Sequence, residues 1–215
     1  MQNNNREWFN EHKDVWLQCK SDIEAFVARW LEAMREIDPE TADLKVSDCV
    51  YRIYRDIRFS HNKAPYKDWL GIIVAPHGGR KSPYGCYYLH LQPGHCMFAG
   101  GVWCPEPDMV KALRQDIFDN FEELEEIFAR PEVNRYFTGF DHDGELKKVP
   151  APFPKDFPHP TWISRRSFTF EYPLSDEEMQ SPELFDRLLD ICRAAKPLND
   201  FLNYTIENNC SAFFL

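Results

Sequence analysis

A chain of 215 residues is long enough for one large domain or two small ones, and a hydrophobic content of 43% supplies a packed core. Its formal net charge of −10 argues against broad binding to duplex nucleic acid, because that function needs a wide basic face. No apolar run approaches the roughly 18 residues of a membrane helix. The chain has seven cysteines and no C-x-x-C pair, and its N-terminus is polar and lacks the apolar stretch of a secretory signal. We therefore expect a cytoplasmic protein that has no membrane partner.

The first predicted element is a long helix. Apolar side chains recur every three or four residues over residues 8–34, which is the pattern of one helical face. Asn4 or Asn5 can cap its start, and Asp38-Pro39 stops it. A capping-box pattern that begins at Ser21 predicts a break inside this stretch as an alternative to one continuous helix.

Three strands joined by short turns are predicted next. Residues 69–75 form a short apolar run, residues 84–91 alternate between apolar and polar, and Pro93-Gly94 turns the chain into residues 95–103. Short connections of this kind indicate an antiparallel meander. A further strand is predicted over residues 167–172.

The second half of the chain is mainly helical. Residues 106–130 read as one amphipathic helix. Five prolines within residues 150–160 exclude a regular element and indicate a linker or a loop laid over the core, and the loop is favoured because Phe153, Phe157 and Trp162 need burial. A last helix is expected over about residues 182–208, with a new turn or a kink at Pro197. The order helix, meander, helix, strand, helix predicts a single α+β domain over residues 1–215, in which helices pack on an antiparallel sheet.

The segment from Arg52 to Lys67 is the most unusual part of the chain. It contains three arginines, two lysines and one aspartate, so its local charge is +4 inside an acidic protein. If residues 50–55 are extended and residues 59–66 form a loop beside them, these side chains can hold a phosphate or carboxylate. The candidate ligand-binding residues are Arg52, Tyr54, Arg55, Arg58, Lys63, Tyr66, Lys67 and Tyr88.

His90 is the second candidate for chemistry. It shares a strand face with Tyr88 and Cys86, and a histidine there can act as a general base near neutral pH. The alternative is a core histidine whose ring is satisfied by a backbone carbonyl or a carboxylate. If the protein is an enzyme, phosphoryl-ester or carboxylate chemistry fits the charges, with arginines stabilising negative charge and Asp56 or His90 as the base.

The chain contains cysteines and histidines that could bind a metal, but they are not spaced as in a known metal-binding motif. The set lacks the spacing of a zinc finger or ribbon, and the chain contains no G-x-S-x-G, H-E-x-x-H or G-x-G-x-x-G motif. We therefore predict neither a metal nor a cofactor. The residues weighed for a metal are Cys86, His90, His95, Cys96 and Cys104.

Three functional classes follow from these patterns. The first is a pocket for a phosphate- or carboxylate-bearing small molecule, with or without catalysis, which needs at least three basic side chains around one open cleft. The second is a non-catalytic interaction or scaffold domain, in which carboxylates such as Glu7 and Asp56 lie within about 4 Å of the basic side chains and form a structural salt-bridge web. The third, a single-stranded nucleic-acid binder, is disfavoured because it needs a longer basic groove. Neither the reaction nor the oligomeric state is specified by the sequence.

Six stretches along the chain resemble the pattern of one protein family. The longest is Arg52-x-Tyr54-Arg55-Asp56-x-Arg58-Phe59-Ser60-x-x-Lys63-x-Pro65-Tyr66-Lys67. The others are Asn4-Asn5-Arg6-Glu7-Trp8-Phe9, Tyr87-Tyr88-Leu89-His90-Leu91, Gly100-Gly101-x-Trp103-x-Pro105, Leu146-Lys147 and Pro197-Leu198-x-x-Phe201-Leu202. Together they make the chain resemble the domain of unknown function 2461 family. The resemblance implies one intact domain and no particular activity. The family pattern has an apolar segment before its Asn-Asn-Arg start, so we expect a shortened first helix here.

Overall fold

A computed structural model describes residues 3–142 and 144–209 of the chain. Those residues form a single α+β domain around a four-stranded antiparallel sheet, in the order β1-β2-β3-β4. The strands are β1 (Leu70–Val74), β2 (Cys86–Leu91), β3 (Cys96–Val102) and β4 (Phe168–Leu174). The predicted fold class, the meander and the fourth strand are confirmed.

Nine helices accompany the sheet within the described residues. They are α1 (Arg6–Glu11), α2 (Lys13–Ile37), α3 (Val46–Cys49), α4 (Pro107–Asp119), α5 (Phe121–Ala129), α6 (Pro131–Asn134), α7 (Pro160–Ile163), α8 (Asp176–Gln180) and α9 (Leu184–Asn209). None of them combines the length and the apolar character that a membrane-crossing helix requires. Residues 1, 2 and 210–215, which include both ends of the predicted domain, lie outside the described residues.

The sheet has one buried face and one half-exposed face. Successive side chains of a strand point to opposite faces, so Tyr87 and Leu89 of β2 enter the core while Tyr88 and His90 point the other way. The strand register brings Gly71 of β1 opposite His90. We call the half-exposed side of the sheet the outer face. It carries the chemistry described below.

Helix α9 is fastened to the buried side of the sheet by two amides. The Asn199 Oδ1 accepts a hydrogen bond from the Gly101 backbone N–H at 2.9 Å, and its Nδ2 donates to the Cys86 carbonyl at 3.1 Å. Asn203 Oδ1 accepts from the Gly85 N–H at 2.7 Å. Cys86 and Gly101 are paired at one end of the β2–β3 ladder, and the amides satisfy backbone groups there that burial would otherwise penalise.

The N-terminal helix is broken, but not at the predicted place. Asn5 caps α1 through a 2.9 Å bond from the Trp8 N–H, whereas Ser21 lies inside α2. The break falls at His12, whose ring stacks on Trp8 at 4.1 Å and whose Nδ1 lies 2.8 Å from the Trp8 carbonyl oxygen. That side-chain interaction competes with regular helical geometry at the junction. The helix ends at Ile37, as the Asp38-Pro39 pair predicted.

The prediction of one helix over residues 106–130 is wrong. Helices α4 and α5 meet at Asn120, which has a non-helical backbone with φ −126° and ψ 34°. Its Nδ2 donates to the Asp116 side chain at 2.8 Å and to the Asp116 carbonyl at 3.3 Å. A short amide that bonds the preceding turn offers the backbone an alternative to continuing the helix.

Helix α9 continues through Pro197, where a new turn or a kink was predicted. A proline inside a helix removes one backbone hydrogen bond and is unfavourable by about 3 kcal/mol. The neighbouring Ala194, Ala195 and Leu198 are buried in the core. Their packing supplies the tertiary stabilisation that local propensity does not.

Candidate functional site

The basic segment forms an irregular two-stranded ribbon at the β1 edge of the sheet. Residues 50–55 run antiparallel to residues 65–72, with isolated bridges from Val50 to Ile72 and from Tyr54 to Tyr66. Three backbone hydrogen bonds hold the ribbon, from Tyr51 N to Gly71 O (3.0 Å), from Lys67 N to Ile53 O (2.8 Å) and from Arg55 N to Pro65 O (2.9 Å). The ribbon therefore ties the position of the basic side chains to the sheet.

The N-terminal helix clamps this ribbon. The Asn4 Nδ2 donates to the Tyr66 carbonyl at 2.9 Å, and the Asn4 Oδ1 accepts from the Tyr66 N–H at 3.1 Å. The Phe9 ring of α1 stacks on the Tyr66 ring at 4.4 Å. The Asn4 side chain thus satisfies both backbone groups of Tyr66, as a neighbouring strand would. It joins the start of the chain to the ribbon, although the two bonded residues are more than 60 positions apart in sequence.

The loop at the tip of the ribbon engages Arg58. Its Nη2 lies 2.7 Å from the Asp56 Oδ2, and its backbone N–H also donates to the same carboxylate at 3.2 Å. These hydrogen bonds from the Arg58 side chain and backbone lower the pKa of Asp56 to about 2. Both side chains are largely exposed, so the pair organises the loop surface more than it stabilises the fold.

Lys63 and Arg55 also bond within the loop. The Lys63 Nζ donates to the Ile57 carbonyl at 2.9 Å. The half-buried Arg55 donates to the Ala64 carbonyl at 3.3 Å and to the Ser60 hydroxyl at 3.5 Å. Three of the five basic residues in the segment therefore have oxygen partners inside the segment itself.

Lys67 and Arg52 differ from the other three. Within the described parts of the chain, neither has a carboxylate oxygen within 4.0 Å. The half-buried Lys67 places its Nζ 4.1 Å from the centre of the Trp69 ring and 5.5 Å from that of Tyr51. Burial lowers the pKa of Lys67, and the charge of Arg52 lowers it further. Lys67 is thus left without a carboxylate within 4.0 Å, whereas the charge of Arg52 acts both on Lys67 and on Asp56, whose pKa it helps to lower.

Tyr88 and His90 lie beside Lys67 on the outer face. The Tyr88 hydroxyl oxygen is 2.9 Å from His90 Nδ1, and His90 Nε2 is 3.1 Å from Gln92 Oε1. The His90 ring stacks on Trp69, the same ring that Lys67 contacts, with centroids 5.2 Å apart. Burial, with Tyr51 and Cys86 nearby, raises the pKa of Tyr88 to about 12.

Gly71 gives the Tyr88 ring room to lie across β1. A Cβ at residue 71 would lie 2.8 Å from the Tyr88 hydroxyl and 3.0 Å from the Tyr51 ring. Real Cβ atoms do not approach side-chain atoms that closely, so any other residue would displace these rings. The absence of a side chain at residue 71 is therefore a structural requirement of the site.

Two clefts flank this cluster. One, of about 730 Å³, has aromatic side chains of α1 and the start of α2 on one wall and Lys67, Asp68 and Gln92 on the other. The second, of about 460 Å³, is lined by Tyr51, by Trp103 and by further residues of the outer face. The Lys67 ammonium lies 5.5 Å from the centre of the Tyr51 ring, so this contact joins the two clefts, whereas Tyr88 and His90 line neither of them.

The side chains weighed for a metal are dispersed. Cys86 and Cys96 are buried, and burial raises the pKa of Cys86 to about 12, while Cys104 and His95 are exposed. Over residues 3–142 and 144–209, no three histidine, cysteine or acidic side chains converge as metal ligands would. His90 instead uses both ring nitrogens in side-chain hydrogen bonds.

Comparison with known proteins assigns the chain to a protein family. The model of a family described as conserved hypothetical protein (DUF2461) matches residues 1–201. The chain belongs to this family. Neither a curated protein nor a solved structure matches it. The range matched by DUF2461 includes the Asn4 clamp, the whole basic segment and the Tyr88–His90 pair, and the family description names no activity.

In this DUF2461 protein the predicted site residues divide into two groups. Arg55, Asp56, Arg58 and Lys63 bond within the loop tip, whereas Lys67, Tyr88 and His90 meet around Trp69, with Arg52 beside Lys67. Tyr66 lines the larger cleft and Tyr54 packs beside it with ring centres 5.6 Å apart. Sequence reasoning passed over Tyr51, Asp68, Trp69, Gly71 and Gln92. The signal available for several of them was alternation, since residues 67, 69 and 71 share one strand face as residues 88, 90 and 92 do.

Proposed function

We propose that this protein binds a small organic anion, with a phosphate or carboxylate group, on the outer face of its sheet at Lys67 and Arg52. The observation that carries the proposal is the Lys67 ammonium, which is half-buried beside a second cation and has no carboxylate partner among the described residues. The charge of Arg52 repels that of Lys67, and an anion bound near both groups replaces this repulsion by attraction.

The surrounding rings favour an organic ligand over an inorganic ion. The larger cleft borders Lys67 and is lined by Phe9, Trp16 and Tyr66. Its volume of about 730 Å³ lies within the range of about 300–1,000 Å³ that is usual for small-molecule sites. The anionic group would pair with Lys67 while an apolar or planar part of the ligand packs on the aromatic wall.

The remaining predicted site residues take secondary roles in this proposal. Arg55, Arg58 and Lys63 shape the loop beside the cleft, and Tyr88 and His90 orient the ligand or exchange a proton with it. Asp56 is a weak candidate for the base, because a carboxylate with a pKa of about 2 that is already bonded to Arg58 attracts a proton weakly. The described cysteines are free thiols, which supports the proposal of a cytoplasmic location.

Thermal unfolding in the presence of defined anions tests the proposal. Inorganic phosphate, phenyl phosphate and benzoate are titrated against the wild type, K67M and K111M, the last of which removes an exposed lysine on α4. A ligand that binds only the native state adds about 2.7 kcal/mol at a hundredfold excess over Kd. We expect saturable protection by an aromatic anion in the wild type and in K111M, and none in K67M. Equal, non-saturating curves for all three proteins would refute the proposal.

A second candidate function is a non-catalytic interaction domain. The observation in its favour is that Arg55, Arg58 and Lys63 all bond within the loop, and that Phe59 at the loop tip is 95% exposed. An exposed aromatic side chain beside an arginine is a common anchor at protein interfaces. In this case no anion would give saturable protection, and R58A would leave the free protein close to its original stability because the Asp56–Arg58 pair is exposed.

A further inference from the structure

A chain of side-chain hydrogen bonds leads from the surface to the middle of the outer face. It begins at the exposed Asp68 carboxylate, which accepts from Gln92 Nε2 at 3.5 Å. It continues from Gln92 Oε1 to His90 Nε2 at 3.1 Å and from His90 Nδ1 to the Tyr88 hydroxyl at 2.9 Å. Tyr88, His90 and Gln92 alternate along β2 and the residue that follows it, so they point to the same side of the sheet.

The direction of every bond in this chain follows from its acidic end. An ionised carboxylate only accepts, so Asp68 takes a hydrogen from the Gln92 amide NH₂ group. The Gln92 oxygen is then left to accept from His90 Nε2–H. With its proton on Nε2, the neutral His90 ring has a lone pair on Nδ1, which accepts the Tyr88 O–H. The network therefore holds His90 as a base directed at the hydroxyl of Tyr88.

We propose that Tyr88 and His90 are the acid–base pair of a proton-transfer enzyme, and that its substrates are small anions with an acidic C–H next to a carbonyl group. This inference rests on the anion site proposed above at Lys67. The C–H bond breaks and its proton joins Tyr88 Oη, while the hydroxyl proton of Tyr88 moves to His90 Nδ1. The electron pair stays on the substrate as an enolate, and no oxidation occurs.

The surroundings suit this step. Lys67 contacts the same Trp69 ring on which His90 stacks, and a preorganised cation in a half-buried site can stabilise the negative charge that the substrate gains. The Asp68 carboxylate, acting through Gln92, stabilises the imidazolium that forms on His90. Return of the proton along the same path, to the same carbon or to its neighbour, completes an exchange or an isomerisation.

Tyr88 must work together with His90 and not as a free phenolate. Burial raises the pKa of Tyr88 to about 12, so the phenol keeps its proton at neutral pH. Its oxygen becomes an effective base only as its own proton moves to His90. Removal of either partner therefore abolishes the transfer.

Hydrogen–deuterium exchange at carbon tests the inference directly. Pyruvate, 2-oxobutyrate and dihydroxyacetone phosphate are incubated in D₂O with the wild type, Y88F, H90Q or Y204F, and the loss of C–H signal is followed by proton NMR. Tyr204 is an exposed tyrosine on α9, away from the outer face, and provides the matched control. General acid–base catalysis contributes about 10²–10⁴ in rate. We expect enzyme-dependent exchange in the wild type and Y204F, and a loss of at least about 100-fold in Y88F and H90Q.

Binding measured on the same proteins separates the two proposals. Y204F is expected to keep both its melting temperature and the saturable protection by a bound anion, since Tyr204 is exposed on α9 and lies outside the site. If an anion of the panel binds the wild type but its C–H exchanges no faster than in buffer, or if Y88F exchanges as fast as the wild type, the acid–base assignment is overturned and the binding site stands. If no anion of the panel protects the wild type and none exchanges, both proposals fail for this substrate class.

Discussion

The Asn4 side chain and the Tyr66 backbone form a closed pair of hydrogen bonds, from Nδ2 to the carbonyl at 2.9 Å and from the Tyr66 N–H to Oδ1 at 3.1 Å. This pair joins the start of α1 to the basic ribbon. Together with the stacking of Phe9 on Tyr66, it builds the aromatic wall of the larger cleft.

We expect N4A to destabilise the protein and to loosen this wall. Each lost hydrogen bond is worth about 0.5–1.5 kcal/mol, so the two together predict a loss of about 1–3 kcal/mol in the free energy of unfolding. Urea titration followed by fluorescence measures it. N10A, which changes an exposed asparagine of α1, is the control and should lie within about 0.5 kcal/mol of the wild type. Similar losses in both variants would show that the Asn4 clamp adds nothing specific.

Gly71 is predicted to tolerate no side chain. In G71A the new Cβ would meet the Tyr88 hydroxyl at 2.8 Å and the Tyr51 ring at 3.0 Å, so both rings must move. Overpacking of this kind is unfavourable by about 1–3 kcal/mol and should also weaken anion binding. The melting temperature measures the first effect and an anion titration the second.

The matched control for that substitution is G139A, because a Cβ at residue 139 has open space around it. Its φ lies outside the left-handed region, so alanine needs no backbone change there. G139A is expected to melt as the wild type does or slightly higher. A G71A protein that is as stable as G139A and binds anions normally would show that Tyr88 and Tyr51 adapt without penalty.

The Asp56–Arg58 pair should make a small contribution to the free energy of unfolding, and this contribution should be lost at low pH. Because the hydrogen bonds from Arg58 depress the folded pKa of Asp56 to about 2, the stabilisation is present above its unfolded pKa, near 4, and disappears as pH falls through about 2. The pair is exposed, so D56N should melt close to the wild type at pH 7. Carbon NMR of the Asp56 carboxyl group gives the titration midpoint. A midpoint near 4 would mean that the Arg58 contact does not persist in solution.

The raised pKa of Tyr88 predicts a loss of stability at high pH. Its folded pKa is raised to about 12, against an ordinary value near 10, so the unfolded state loses the phenolic proton first. The protection is complete below pH 10 and is lost as pH rises through about 12. Y88F lacks this titration, and its stability should fall less than that of the wild type between pH 10 and 12. Parallel pH profiles of urea unfolding for the two proteins would contradict the raised value.

Much of the fold could be predicted from local patterns. The three strands of the meander are visible as short apolar or alternating runs, and the short turn over residues 92–95 permits only antiparallel pairing of β2 with β3. The connection from β1 to β2 over residues 75–85 is longer than the short turn that was predicted, and it contains a 3-10 turn at Gly79–Lys81. The two helix breaks at His12 and Asn120 escaped prediction for a different reason. At each place, a side chain bonds a backbone carbonyl of the preceding turn. The spacing of apolar residues, on which the helix predictions depend, does not indicate such a bond.

For the site, the sequence alone determined where the charge is concentrated and that His90 and Tyr88 share a strand face. It could not determine which of the five basic side chains of the segment have hydrogen-bond partners within the loop, because nothing in the local sequence distinguishes those that do from those that do not. Tertiary structure decided that Arg58 bonds Asp56 whereas Lys67 rests on Trp69. Strand register, which is a long-range property, set Gly71 against His90 and so brought the ribbon to the Tyr88 hydroxyl. Composition and periodicity act over a few residues, but the partners of a buried or half-buried side chain are chosen by segments that meet only once the sheet has formed.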